Sequence, residues 1–197
     1  AHFKYDGVGA YNNDGTLKAG AKVLYITAKT AKTVSTTVNT GKSETITGLQ
    51  SIIDAYSKGK DKTPIAFRII GKVSLSDLDH ISSSAEGLQV KGATMNMTFE
   101  GVGDDATVYG FGFLLREAVS VEFRNFAIMR CLDDAMSLDT KNSNVWIHNM
   151  DLFYGKKGSA ADQAKGDGTV DIKGDSKYVT VAYNRFWDNG KASMCGM

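Results

Sequence analysis

A motif that returns every two dozen residues constrains this chain more than its composition does. Met97-Thr-Phe-Glu-Gly101 is followed 24 residues later by Val121-Glu-Phe-Arg-Asn125, and after another 24 by Val145-Trp-Ile-His-Asn149. A fourth copy, Thr180-Val-Ala-Tyr-Asn184, follows after 35, the excess falling in the polar loop around Gly155–Gly166. A second series threads between these: Phe113-Leu-Leu, Ala135-Met-Ser-Leu, Val170-Asp-Ile and Ala192-Ser-Met. A period in the twenties built from short strands means a solenoid. The leucine spacing of leucine-rich repeats is missing, so the expected fold class is an all-β solenoid, a right-handed parallel β-helix with two or three short strands per coil. Asn125, Asn149 and Asn184 recur at one register and are expected to stack as an amide ladder inside a turn.

The segment ahead of the repeats reads differently. Residues 1–22 are polar and glycine-rich, an irregular entry; Val23–Thr27 is an expected strand, and the Lys- and Thr-rich residues 28–46 an exposed excursion. Leu49, Ile52, Ile53 and Tyr56 fall at helical intervals, which predicts an amphipathic helix over 47–56 placed to cap the β-helix. Pro64–Ile70 is an expected strand, and 75–92 an irregular passage. With 21 glycines, one proline and many Val, Ile, Phe, Tyr and Thr residues, the composition favours β structure throughout. The 197 residues make a single β-helix domain or a piece of one.

A net charge of +1 with mixed signs gives no case for nucleic acid or membrane binding, and no apolar run reaches the length of a membrane span. Cys131 and Cys195 form neither a disulfide framework nor a metal-site spacing, and both are expected to be buried thiols.

Chemistry concentrates in Asp167-Gly-Thr-Val-Asp171-Ile-Lys173. Val170 and Ile172 have the parity of residues inside a strand, while Asp171 and Lys173 point the other way. In a straight strand Asp167 and Asp171 would lie roughly 13 Å apart. Gly168 permits the turn that brings them together. Taken alone, the stretch reads more readily as a glycine turn with two solvated acids. Coil arithmetic adds company, because equivalent positions on successive coils lie about 4.8 Å apart. Asp134 begins a strand one coil earlier and Lys191 begins one a coil later, so all four can converge on one outer face. Close carboxylates repel, and a hard cation such as calcium is their natural neutraliser.

At these residues the sequence resembles the calcium-dependent pectate lyase family of parallel β-helix enzymes. Phe99-Glu-Gly-Val-Gly103 with Ala106-Thr-Val-Tyr-Gly110 resembles "TIIGVG…A.I.G", and Val121–Ile128 looks like "NVIIRNL.I". Asp134-Ala-Met resembles "DAI", Val145-Trp-Ile the opening of "VWIDH", and Asp167–Lys173 matches "DG..DIK". Val179–Asn184 resembles "VTVSYN", and Lys191-Ala matches "KA". The resemblance implies Asp134, Asp167 and Asp171 as calcium ligands and Lys191 as the substrate-binding lysine. Two departures stand out. A commonly acidic position is His148, expected to be a coil-surface residue rather than a base. The "R.PR.R" segment, which carries the arginine implied as the base, has no match before Met197.

The implied function is β-elimination of polygalacturonate (pectate) by a secreted, extracellular enzyme that requires calcium. Two other readings fit the same fold. One is a calcium-dependent pectate-binding protein or inactive relative. The other is a polygalacturonase-type hydrolase using Asp133 and Asp134, which adjacent strand positions suit poorly because they face opposite ways. The last coil is expected to be continued by a C-terminal remainder supplying the arginine, or covered by a second copy, because open strand edges invite pairing.

Overall fold

A computed structural model describes residues 7–81, 87–92, 94–154 and 168–196. The chain enters through β1 (Lys22–Ile26), an antiparallel hairpin of β2 (Ser35–Asn39) and β3 (Ser43–Thr47), and helix α1 (Leu49–Tyr56). It then winds through β4 (Ile65–Ser74), a 3-10 turn (Leu75–Asp77), β5 (Gly87–Lys91), β6 (Thr94–Tyr109) and β7 (Gly112–Arg116). Three further coils follow: β8 (Val119–Arg124), β9 (Ala127–Met129) and β10 (Met136–Thr140); β11 (Ser143–His148), β12 (Asp151–Phe153) and β13 (Val170–Ile172); β14 (Lys177–Ala182), β15 (Arg185–Trp187) and β16 (Ser193–Cys195). Among the described residues, apart from the hairpin and an isolated Tyr11–Leu17 bridge, all pairing is parallel.

Three faces result, as the repeat requires. Face one stacks β1, β4, β6, β8, β11 and β14; face two stacks the second halves of β4 and β6 with β9, β12 and β15; face three runs β5-β7-β10-β13-β16. The expected right-handed parallel β-helix is therefore the fold. The alternation of each strand sends Phe67, Phe99 and Phe123 inward at one register, where their rings stack at 5.1 Å per step. Phe113 of face three meets Phe99 and Phe123 edge-on at 5.0 and 4.9 Å, so the core is zipped across the coil by aromatic contacts.

Helix α1 covers the β5 edge of face three. Leu49, Ile52, Ile53 and Tyr56 are buried in the core. Buried Gln50 donates to the Gln89 carbonyl (3.0 Å) and accepts from the Gln89 N–H (2.9 Å), so its side-chain amide stands in for one residue of a missing strand. Asp79 caps the helix, accepting from the Gln50 and Ser51 N–H groups at 2.9 and 3.0 Å. Gly48, at φ +98°, is required there because a Cβ would lie 2.4 Å from the Asp79 carboxylate.

Several expectations need correction. The exposed excursion contains the β2–β3 hairpin with Val38 buried, and the irregular passage contains β5. Val145 pairs with Val179, not Thr180, so the fourth copy is displaced by 34 residues and Tyr183 takes the register of Asn125 and Asn149. The amide ladder accordingly does not include Asn184 at that register. Asn125 and Asn184 instead donate to backbone carbonyls of the preceding coil, Gly101 at 2.8 Å and Ile147 at 2.9 Å. Of the cysteines, Cys131 is buried but Cys195 is exposed.

Candidate functional site

Face three gathers Asp134 and Asp171, two of the three acids that the coil arithmetic brought together. Its entry is built for close approach: a Cβ on Gly87 would lie 2.0 Å from the Gly112 carbonyl oxygen, and one on Gly112 only 2.2 Å from that of Asp134. This glycine column lets the chain turn tightly into face three, and Asp134 sits at the turn just before β10. Its Oδ1 accepts the Gly168 N–H of the next coil at 2.8 Å, so Asp134 also ties two coils together. Three residues further along, at the register of Ser137, Asp171 pairs with Ser137 of β10 and Met194 of β16. Asp134 and Asp171 are both buried, at 4% and 2% exposure.

The two carboxylates meet at one cation. Lys173 Nζ lies 3.7 Å from Asp134 Oδ2 and 3.7 Å from Asp171 Oδ2, with its side chain 19% exposed. Both contacts are longer than a direct hydrogen bond, so the ammonium is shared electrostatically between them. Lys173 follows Asp171 by two residues, directly after β13, and continued alternation places both on the same face. That shared parity was the only sequence signal for its role.

The turn expected at Gly168 involves Asp167 and so lies partly outside the described residues, but Gly168 has a second role. A Cβ there would lie 2.2 Å from Asp171 Oδ1, so the glycine makes room for the carboxylate to lie against the backbone. Asp167 lies outside the described residues. Lys191 is exposed on the following coil, two residues before β16, and its carbonyl accepts the Thr169 hydroxyl at 2.7 Å. Asp133 is half-buried.

Beside the cluster, Arg116 Nε donates to Asp139 Oδ2 at 2.7 Å. Burial alone would raise the Asp139 carboxyl, but hydrogen bonds from Arg116 and Thr140, with the charges of Arg116 and Lys173, hold it below the usual carboxylate range. Burial, reinforced by the negative charge of Asp134, pushes the Cys131 thiol up to about 12, so it is inert.

The calcium implied by the resemblance can be tested against these groups. Two buried hard-oxygen donors that already share a cation fit it. Among the described residues no cluster of three or more His, Cys, Asp or Glu gathers.

His148 is not at the coil surface. It is buried on face one, 2.9 Å from Glu122 Oε1 and stacked 3.9 Å from Trp146. The open cleft of about 490 Å³ between faces one and two, lined in part by Asp104, Asn149, Asp151 and Arg185, contains none of the predicted site residues.

Comparison with known proteins agrees with this architecture. No family model matches the chain. It is 24% identical over 159 residues to a pectate trisaccharide-lyase of Bacillus licheniformis, covering 79% of this chain and 44% of that protein. It is 33% identical over 104 residues to pectate lyase A of Emericella nidulans, covering 51% of this chain and 31% of that one. The chain thus spans less than half the length of these curated relatives. Among solved structures, a thermostable pectate lyase superposes over 99% of this chain and 61% of its own, with a TM-score of 0.63 and 17% identity. Pectate lyase C from Erwinia chrysanthemi, solved with calcium, superposes over 86% of this chain and 49% of its own, with a TM-score of 0.55 and 20% identity. Among the described residues, no helix is long and apolar enough to cross a membrane. The chain is a parallel β-helix related by sequence and fold to the pectate lyases.

Proposed function

We propose that the protein is a secreted pectate lyase and that these 197 residues build its metal- and uronate-holding part. The observation that carries this reading is the convergence of two buried carboxylates, Asp134 and Asp171, from successive coils on one cation. Asp134, Asp167 and Asp171 would hold calcium. When bound, calcium neutralises a uronate carboxylate and stabilises the negative charge that develops as the C5 proton leaves.

The chain's own residues do the rest of the holding. Lys191, exposed on the next coil, would offer a point charge to a substrate carboxylate. The Asp134 bond to the Gly168 N–H fixes the spacing of the two coils that carry the acids. A site this rich in carboxylate repels bare polygalacturonate and accepts it only through a cation, so the substrate is the acid and not its neutral methyl ester. No residue of 1–197 is assigned as the base, which the resemblance gives to an arginine in a motif absent from them.

The test is product chemistry on polygalacturonate with and without calcium. Elimination leaves an unsaturated product that absorbs in the ultraviolet, appears only with calcium and is absent on fully methylated pectin. Saturated reducing ends without absorbance would replace the lyase with the hydrolase. Calcium-dependent binding without any product would identify a pectate-binding protein.

A further inference from the structure

We propose that Lys173 is the resident counter-ion of the metal site, neutralising Asp134 and Asp171 in the metal-free protein and vacating them when calcium binds. This inference rests on the reading of Asp134 and Asp171 as calcium ligands.

Three observations carry it. The Lys173 ammonium stands 3.7 Å from one oxygen of each carboxylate, between the two groups that would face a metal. A calcium ion bound to those same oxygens would be a second cation beside the ammonium. Two cations so placed repel strongly in a partly buried site. The ammonium therefore cannot stay where it is.

It also has somewhere to go. Asp139 of β10 lies beside Lys173 on the same face: the Lys173 N–H donates to Leu138 O at 2.9 Å, and the Lys173 charge contributes to holding the Asp139 carboxyl down. Arg116 and Thr140 both bond Asp139 through Oδ2, at 2.7 and 3.1 Å, which leaves Oδ1 as an acceptor for the displaced ammonium. The four-carbon lysine stem permits that swing without backbone movement. Lys173 keeps the metal-free acids from repelling each other and sets the threshold at which calcium displaces it. Asp139 is a positioning residue that receives it.

Calcium titration calorimetry on the full chain, with folding confirmed by circular dichroism, tests this. Lys173→Met should bind calcium about tenfold or more tightly than wild type, because the competing charge is gone. Without calcium it should melt about 5 °C or more lower, because two buried acids lose their counter-ion, and calcium should restore the loss. Asp139→Asn should weaken calcium binding, and the weakening should vanish in the Lys173→Met background. Unchanged or weaker calcium affinity in Lys173→Met, with wild-type binding that Asp171→Asn abolishes, overturns the counter-ion role and leaves the metal site standing. If Lys173→Met does not fold, unchanged affinity in Asp139→Asn overturns it. Calcium binding absent from both wild type and Lys173→Met, or unaffected by Asp171→Asn, removes the metal site and the counter-ion with it.

Discussion

Faces one and three both carry buried carboxylates, and they neutralise them in opposite ways. On face one, Glu100 accepts from the Tyr11 hydroxyl, from Arg68 Nε at 2.8 Å and from Arg124 Nη2 at 2.7 Å, while Arg124 lies 4.1 Å over the Tyr11 ring. Next to it, Glu122 accepts from the Thr98 hydroxyl at 2.9 Å and pairs with His148. Two carboxylates there meet two arginines, a histidine and two hydroxyls, and the N-terminal segment closes over them through Ala10 N–H to Thr98. On face three, among the described residues, Asp134 and Asp171 share the Lys173 ammonium at 3.7 Å. A network in which each carboxylate has several close donors holds a structure together. A network whose ammonium stands at 3.7 Å, beyond direct hydrogen-bond distance, can exchange that cation for one from outside.

The largest expected effect comes from breaking the closed side. Glu100→Ala leaves Arg68 and Arg124 facing each other without their shared anion, and should cost about 3 kcal/mol, lowering the melting temperature by roughly 6–12 °C. Calcium binding at face three should be unchanged at temperatures where the variant is folded. A melting temperature equal to wild type would show that face one is not the scaffold.

A smaller effect is expected on the open side. Gly168→Ala pushes a methyl group against the Asp171 carboxylate and should weaken calcium binding about tenfold, with little loss of melting temperature, because the displaced atoms are the end of a side chain. Unaltered calcium affinity would mean that the Asp171 orientation does not matter to the metal.

The smallest is a pH dependence. Burial would raise Glu100, but the Tyr11, Arg68 and Arg124 hydrogen bonds hold it below its ordinary value. A carboxylate depressed in the folded state contributes stability above the unfolded value, near pH 4.3, and loses it as pH falls through the lower folded one. Wild-type denaturation midpoints should therefore fall below about pH 5 more steeply than those of Glu100→Gln. Parallel curves would assign the acid sensitivity to other carboxylates, such as Asp61 and Asp79, which are lowered too.

What the sequence disclosed follows from which forces are periodic. Parallel stacking repeats, so the recurrence from Met97 to Val145 announced the coils, and the apolar spacing in 49–56 announced α1. The register of the fourth copy is one residue off the asparagine recurrence because Tyr183, not Asn184, takes the left-handed position, φ 57°, that Asn125 and Asn149 hold at 59° and 53°. Contacts with no period stayed hidden. Nothing in the spacing shows Gln50 completing β5, Ala10 reaching Thr98 from the N-terminal segment, or Lys173 standing 3.7 Å from each of the two aspartates. The convergence of Asp134 and Asp171 was legible from coil arithmetic, yet their burial was not, because alternation gives the face of a residue and not what covers it.

The most direct measurement is calorimetry of a short oligogalacturonate binding to wild type and to Asp171→Asn, each with calcium and with excess chelator. Wild type should bind only with calcium, and Asp171→Asn should bind in neither condition while melting within a few degrees of wild type. Binding that survives chelation, or that Asp171→Asn retains in full, would contradict a cation-bridged substrate site on face three.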